Sequence, residues 1–136
     1  MKRVCFINVD GASRGNPGRA GAGAVIKDLD GNVIRELKEY LGIATNNTAE
    51  YKALLLALTA VTEMGIKNVK VFADSELMVK QLNGAYKVKS EDLKPLYMKA
   101  IALSKGFDSF EISHVYRENN SLADSLANEA IDSAVK

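Results

Sequence analysis

One cysteine, one histidine, two prolines and no tryptophan stand among 136 residues. A lone cysteine cannot close an internal disulfide, and without a Cys/His cluster there is no ligand set for a structural zinc. No apolar run approaches the ~20 residues of a membrane span. The stretch Met1–Phe6 starts like a signal peptide, but Asn8 and Asp10 break its apolar run. There is no internal repeat, no linker, no low-complexity tract and no Walker motif. Gly18, Gly21 and Gly23 open a strand rather than a strand-to-helix turn, so they make no dinucleotide fingerprint. Neither sign of charge dominates: 18 Lys and Arg against 17 Asp and Glu give +1, which alone names no partner. What remains is an ordinary globular composition, 47% hydrophobic and 26% charged, at a length that suits one domain over residues 1–136. The expectation is a soluble, cytoplasmic, monomeric domain.

The chain divides by period. Val4 to Val9 is almost continuously apolar, as in a strand covered on both faces. It runs into a dense cluster of turn formers, Asp10 to Gly18. Gly21 to Lys27 reads as a second strand, the Asp-Gly of residues 28–32 as a tight hairpin, and Val33 to Leu41 as a third strand. Glu50, Leu54, Ala57, Leu58 and Val61 then recur at helical spacing, with Asn47 or Thr48 as cap and Gly65 as stop. Asn68 to Ala73 is a short strand and Leu77 to Leu82 a short helix. A further helix spans Leu93 to Lys105, with Pro95 in its first turn. Phe110, Ile112, His114 and Tyr116 alternate as a strand, and Leu122 to Val135 closes the chain as a helix. The order βββαβααβα predicts an α/β fold: a five-stranded mixed sheet, three antiparallel strands then two parallel, flanked by helices. Cys5 alternates with Ile7 and Val9 and reads as a small core residue, and His114 as a packed strand residue.

Four carboxylates occupy unusual places. Asp10 and Asp74 each end an apolar strand, and ligands of open α/β sheets bind beyond the carboxyl ends of the strands. Glu50 lies on the buried stripe of its helix, and Asp124 borders the stripe made by Ala127 and Ile131. Converging near a core, four uncompensated anions would be costly. Divalent cations offset that cost, and an oxygen-only donor set suits Mg²⁺ or Mn²⁺ rather than zinc. Setting those four aside leaves 13 acids against 18 bases, a modestly basic surface around an acidic centre.

Four motifs follow in order: Asp10-Gly11-Ala12-Ser13-Arg14-Gly15-Asn16-Pro17-Gly18; Thr45-Asn46-Asn47-Thr48-Ala49-Glu50-Tyr51; Ala73-Asp74-Ser75; and Arg117-Glu118-Asn119-Asn120-Ser121-Leu122-Ala123-Asp124-Ser125-Leu126-Ala127. Together they resemble the successive motifs of ribonuclease H, type 1, over essentially the whole chain. The resemblance implies a ribonuclease H-like fold and an endonuclease that hydrolyses the RNA strand of RNA/DNA hybrids. It implies that Asp10, Glu50, Asp74 and Asp124 are catalytic and hold two Mg²⁺ ions, with Mn²⁺ able to substitute, and that the ends left are 5′-phosphate and 3′-hydroxyl. Asn16, Asn46 and Asn47 match residues that reach the minor groove of the hybrid, and Thr45 matches part of a pocket for a DNA phosphate.

The chain also departs from the better-known bacterial members. Ile43 stands where they carry an arginine of the phosphate pocket. The basic, tryptophan-rich handle is missing: the segment is only Gly84 to Ser90, with Lys87 and Lys89. No loop histidine lies between His114 and Asp124. These features match a compact form of the family, and they leave room for a nuclease that also cuts double-stranded RNA or RNA–DNA junctions. A non-catalytic hybrid-binding module is the alternative from another class. With the first strand starting by Val4, no separate hybrid-binding domain is expected ahead of it.

Overall fold

In a computed structural model, residues 4–134 are described. Five strands, β1 (Val4–Gly15), β2 (Gly18–Lys27), β3 (Val33–Ala44), β4 (Asn68–Ala73) and β5 (Ser109–His114), form one sheet in the order β3-β2-β1-β4-β5. The β3, β2 and β1 strands pair antiparallel, and β1, β4 and β5 pair parallel. The helices are α1 (Asn46–Glu63), α2 (Glu76–Leu82), α3 (Lys94–Ser104) and α4 (Ser121–Ala134), with a 3₁₀ turn at Arg117–Asn119. Val135, expected as the last residue of the closing helix, and Met1 to Arg3 of the signal-like stretch lie outside the described residues. Among the described residues no helix is long and apolar enough to cross a membrane.

The core follows from the two periods. Cys5, Ile7 and Val9 of β1 and Val69, Val71 and Ala73 of β4 point to one face of the sheet, where Leu54, Ala57, Leu58 and Val61 of α1 cover them. Each such branched side chain removed from water contributes about 1.5–3 kcal/mol before entropy is counted. The α4 helix lies on the opposite face, over β2. It comes so close that a Cβ on Gly23 would sit 2.3 Å from the carbonyl oxygen of Ala123. The small residues that open β2 are there to admit this helix.

Several boundaries differ from the sequence expectation. The turn formers after Val9 do not end β1: residues 10–15 pair with residues 18–23, Asp10 opposite Gly23 and Gly15 opposite Gly18. Ladder hydrogen bonds override local turn preference, and the turn itself shrinks to Asn16 and Pro17, joined by a cis peptide bond. Likewise β3 runs on to Ala44 because β2 starts early, with Gly18 opposite Ala44. Thr45, not Asn47 or Thr48, caps α1, its side chain accepting from the Thr48 N–H at 3.2 Å.

One register sets up everything that follows. In the parallel pair β1–β4, Val9 stands opposite Ala73. The next residue on each strand is an aspartate, so Asp10 and Asp74 emerge side by side at the carboxyl end of the sheet.

Candidate active site

Asp10, Glu50 and Asp74 each offer a carboxylate oxygen within 4.8 Å of the others. Asp10 is 4% exposed and Glu50 7%. Glu50 reaches the strand ends because α1 starts close beside β1. Its Oε1 accepts the Gly11 backbone N–H at 2.7 Å. Its other oxygen, Oε2, is buried without a hydrogen-bond partner.

The electrostatics are those of crowded anions. Burial, then the Glu50 charge and hydrogen bond, then Asp74 and Asp124, push the Asp10 carboxyl up to about 11. Burial also raises Glu50, to about 7, against the hydrogen bonds from Asp10 and Gly11 and the nearby Arg117, which favour its charge. Burial and crowding thus disfavour the charged form of both carboxyls. A buried carboxylate oxygen with no donor, beside two further carboxylates, fits a hard divalent cation: it would satisfy Oε2 and neutralise the repulsion at once. Asp124 stands outside the three-acid group and meets Asp10 from the α4 side.

Asn120 fastens α4 there. It is 2% exposed, donates from Nδ2 to the Val9 carbonyl at 2.8 Å and accepts at Oδ1 from Asn8 Nδ2 at 3.0 Å. Its own carbonyl takes the Asp124 N–H at 3.1 Å. The residue before the helix is thus bonded to the residue before Asp10.

Asp10, Glu50 and Asp74, but not Asp124, line an open cleft of about 380 Å³, together with Asn46, Asn47, Ser75, His114, Tyr116 and Arg117. Asn46 and Asn47 thus line the same cleft as these carboxylates. Asn16 does not line the cleft but holds its wall: Oδ1 accepts the Asn46 N–H at 3.0 Å. Thr45 belongs to a neighbouring depression, with Pro17, Ile43, Lys52, Asp92 and Leu96.

His114 is not the packed strand residue that alternation suggests. It is exposed and edge-on to Tyr116, with ring centroids 5.6 Å apart. The alternation holds for Ile112, which is buried, and fails two residues on, where β5 leaves the sheet opposite Ala73. Tyr116, expected to continue the strand, lies beyond the end of β5 and lines the cleft with Arg117, a place that the sequence pattern does not suggest for these two residues. The β4–β5 register was the missing signal, since it carries the end of β5 to the same rim as Asp74.

The comparisons with known proteins agree with this fold. Residues 8–130 match a family model described as reverse transcriptase-like. Ribonuclease HI of Halobacterium salinarum is 46% identical over 92% of this chain, which spans 63% of that protein. A bifunctional protein of Mycobacterium tuberculosis is 44% identical over 96% of the chain, which spans 36% of it. The chain thus covers less than two thirds of the length of either relative. Among solved structures, RNase H1 from Halobacterium salinarum superposes with a TM-score of 0.93 at 44% identity, covering 96% of this chain and 98% of that one. LC11-RNase H1, solved in complex with an RNA/DNA hybrid, gives 0.92 at 43% identity, covering 97% and 99%. The chain belongs to the type 1 ribonuclease H family of enzymes.

Proposed function

We propose that this domain is an endonuclease that hydrolyses the RNA strand of RNA/DNA hybrids, using two divalent cations held by Asp10, Glu50, Asp74 and Asp124. The observation that carries the reading is the group of buried Asp10 and Glu50 with half-buried Asp74, with Glu50 Oε2 left without a donor. A pure binding surface for a polyanion gains nothing from such a group. The solved complex of the 43% identical LC11-RNase H1 with a hybrid supports the substrate class.

Held by these residues, divalent cations would supply the activation of a water and the stabilisation of a leaving 3′ oxygen, the chemistry that gives 5′-phosphate and 3′-hydroxyl ends. The rest falls to the chain. Asp10 on β1 and Asp74 just past the end of β4 fix the centre at the carboxyl end of the parallel pair. Glu50 is held in line by the Gly11 N–H. Asn46 and Asn47, at the start of α1 and on the cleft wall, offer amides that both give and accept hydrogen bonds, the chemistry that 2′-hydroxyls and minor-groove base edges require. Asn16 braces them through Asn46, and Thr45 faces the neighbouring depression where a phosphate of the DNA strand would lie.

The test uses one labelled RNA in three states: in a DNA hybrid, in an RNA duplex and alone, each with Mg²⁺, Mn²⁺ or chelator. Metal-dependent cutting of the hybrid, lost in Asp10→Asn and Asp74→Asn with the fold intact, is expected. Cutting of the RNA duplex as well would assign the relaxed-specificity form. No cutting under either metal would refute the enzyme reading and leave the binding module.

A further inference from the structure

Asp124 is the one acid of the four outside the tight group, and a chain of side chains runs from it to the protein surface. Asn128, one turn further along α4, donates from Nδ2 to the Asp124 carbonyl at 2.9 Å and to its Oδ1 at 3.3 Å. On its other side Asn128 Oδ1 accepts from Arg14 Nη2 at 3.3 Å, and Arg14 Nη1 reaches Asp132 Oδ1 at 2.6 Å. From these contacts we infer that Asn128 is a positioning residue for the Asp124 carboxylate, with Arg14 and Asp132 fixing which way its amide points.

The argument turns on donors and acceptors. An amide side chain can present either its oxygen or its NH₂ to a neighbour, but a guanidinium can only donate. Arg14 therefore takes the Asn128 oxygen, and the NH₂ is left facing Asp124. Flipped, the amide would set NH₂ against guanidinium and oxygen against carboxylate, a double mismatch. Asp132 keeps Arg14 in place, so the orientation is set by residues 114 and 118 positions apart in sequence. A bond from an Asn to the residue four earlier is by itself a local helix feature. The contact to β1 is what makes it directional.

Stability is not what this network supplies. The Arg14 and Asp132 side chains are 45% and 65% exposed, and exposed pairs contribute little to folding. A fixed hydrogen bond to a carboxylate that must meet a cation is worth more in geometry, since outer partners of ligands commonly change metal affinity by about 10–100-fold when removed. The inference rests on the proposed role of Asp124 as a cation ligand.

Asn128→Ala, Arg14→Gln and the double variant are compared with the wild-type chain in Mn²⁺ titration by isothermal calorimetry. Hybrid cleavage is followed at varied Mg²⁺, with circular dichroism as the fold control. Asn128→Ala is expected to weaken cation binding by about tenfold and to lower kcat with KM for the hybrid unchanged. Arg14→Gln should do the same to a lesser degree. The double variant should be no worse than Asn128→Ala alone, as members of one chain are not additive. Wild-type cation affinity and kcat in Asn128→Ala would overturn the inference, and so would a full additional loss on adding Arg14→Gln. If Asn128→Ala fails to fold, Arg14→Gln decides by the same readouts. A wild-type chain that binds no Mn²⁺ and cuts nothing would overturn the function reading and this one with it. Normal binding by both wild type and variants would overturn this one alone.

Discussion

Gly11 and Glu50, 39 positions apart, are joined by a hydrogen bond from backbone N–H to Oε1 of 2.7 Å, and nothing larger than glycine permits it. A Cβ at Gly11 would fall 2.2 Å from the Ala49 carbonyl carbon and 2.4 Å from the Glu50 nitrogen. Both are backbone atoms that cannot swing aside, so Gly11→Ala must push α1 off β1. The expected result is a loss of about 2–3 kcal/mol in urea unfolding, together with loss of cation binding because Glu50 moves away from Asp10. Unchanged stability would mean that α1 is free to shift.

The raised carboxyls make metal-free stability depend on pH in a definite direction. Both groups ionise less readily folded than unfolded, where their values are 3.8 and 4.5. Their contribution is complete below about pH 4 and is lost as pH rises. The Glu50 share is gone above about 7, and the Asp10 share keeps falling beyond that. Melting in chelator should therefore drop between pH 5 and pH 8, and saturating Mg²⁺ should flatten the curve. Asp10→Asn, which leaves no carboxyl that must take up a proton on folding, should melt higher than wild type at pH 8 without metal. An equal slope in both proteins would sink this account.

The sequence makes the acids visible but not their neighbours. Asp10 and Asp74 stand out because each ends an apolar run, and Glu50 because it shares a stripe with Leu54 and Val61. Those signals are local. The Val9–Ala73 register that brings two of them together is not local, nor is the one that carries His114 to the cleft rim. Turn formers from Asp10 to Gly18 hide the extension of β1, since pairing with β2 decides the matter there. For the same reason the Arg14–Asn128 contact has no sequence signal. It exists only because the extended hairpin reaches over α4.

Tyr51 and Gln81 provide a tie away from the acids. The Tyr51 hydroxyl donates to Gln81 Oε1 at 2.7 Å, with both residues almost fully buried. Tyr51→Phe leaves that oxygen without a donor, at a cost of about 1–3 kcal/mol. The midpoint of urea unfolding should fall with the slope unchanged. No change in midpoint would show that water replaces the hydroxyl.

Ile43 offers the sharpest test of the missing phosphate contact. It is 68% exposed, beside Pro17, Thr45, Lys52 and Asp92. On the proposed reading this depression faces a phosphate of the DNA strand, with Lys52 the cation and Asp92 the anion among its lining residues. Ile43→Arg adds a bidentate donor without touching the core, so stability should stay within about 0.5 kcal/mol. Hybrid binding should tighten, and its logarithmic dependence on salt should steepen by about 0.9, the release of one further counterion. Chelator with Ca²⁺ excluded keeps cleavage out of the measurement. If affinity rises but the salt slope does not, the arginine is acting through contacts other than phosphate. If neither moves, the DNA strand passes elsewhere, and Thr45 serves only as the cap of α1.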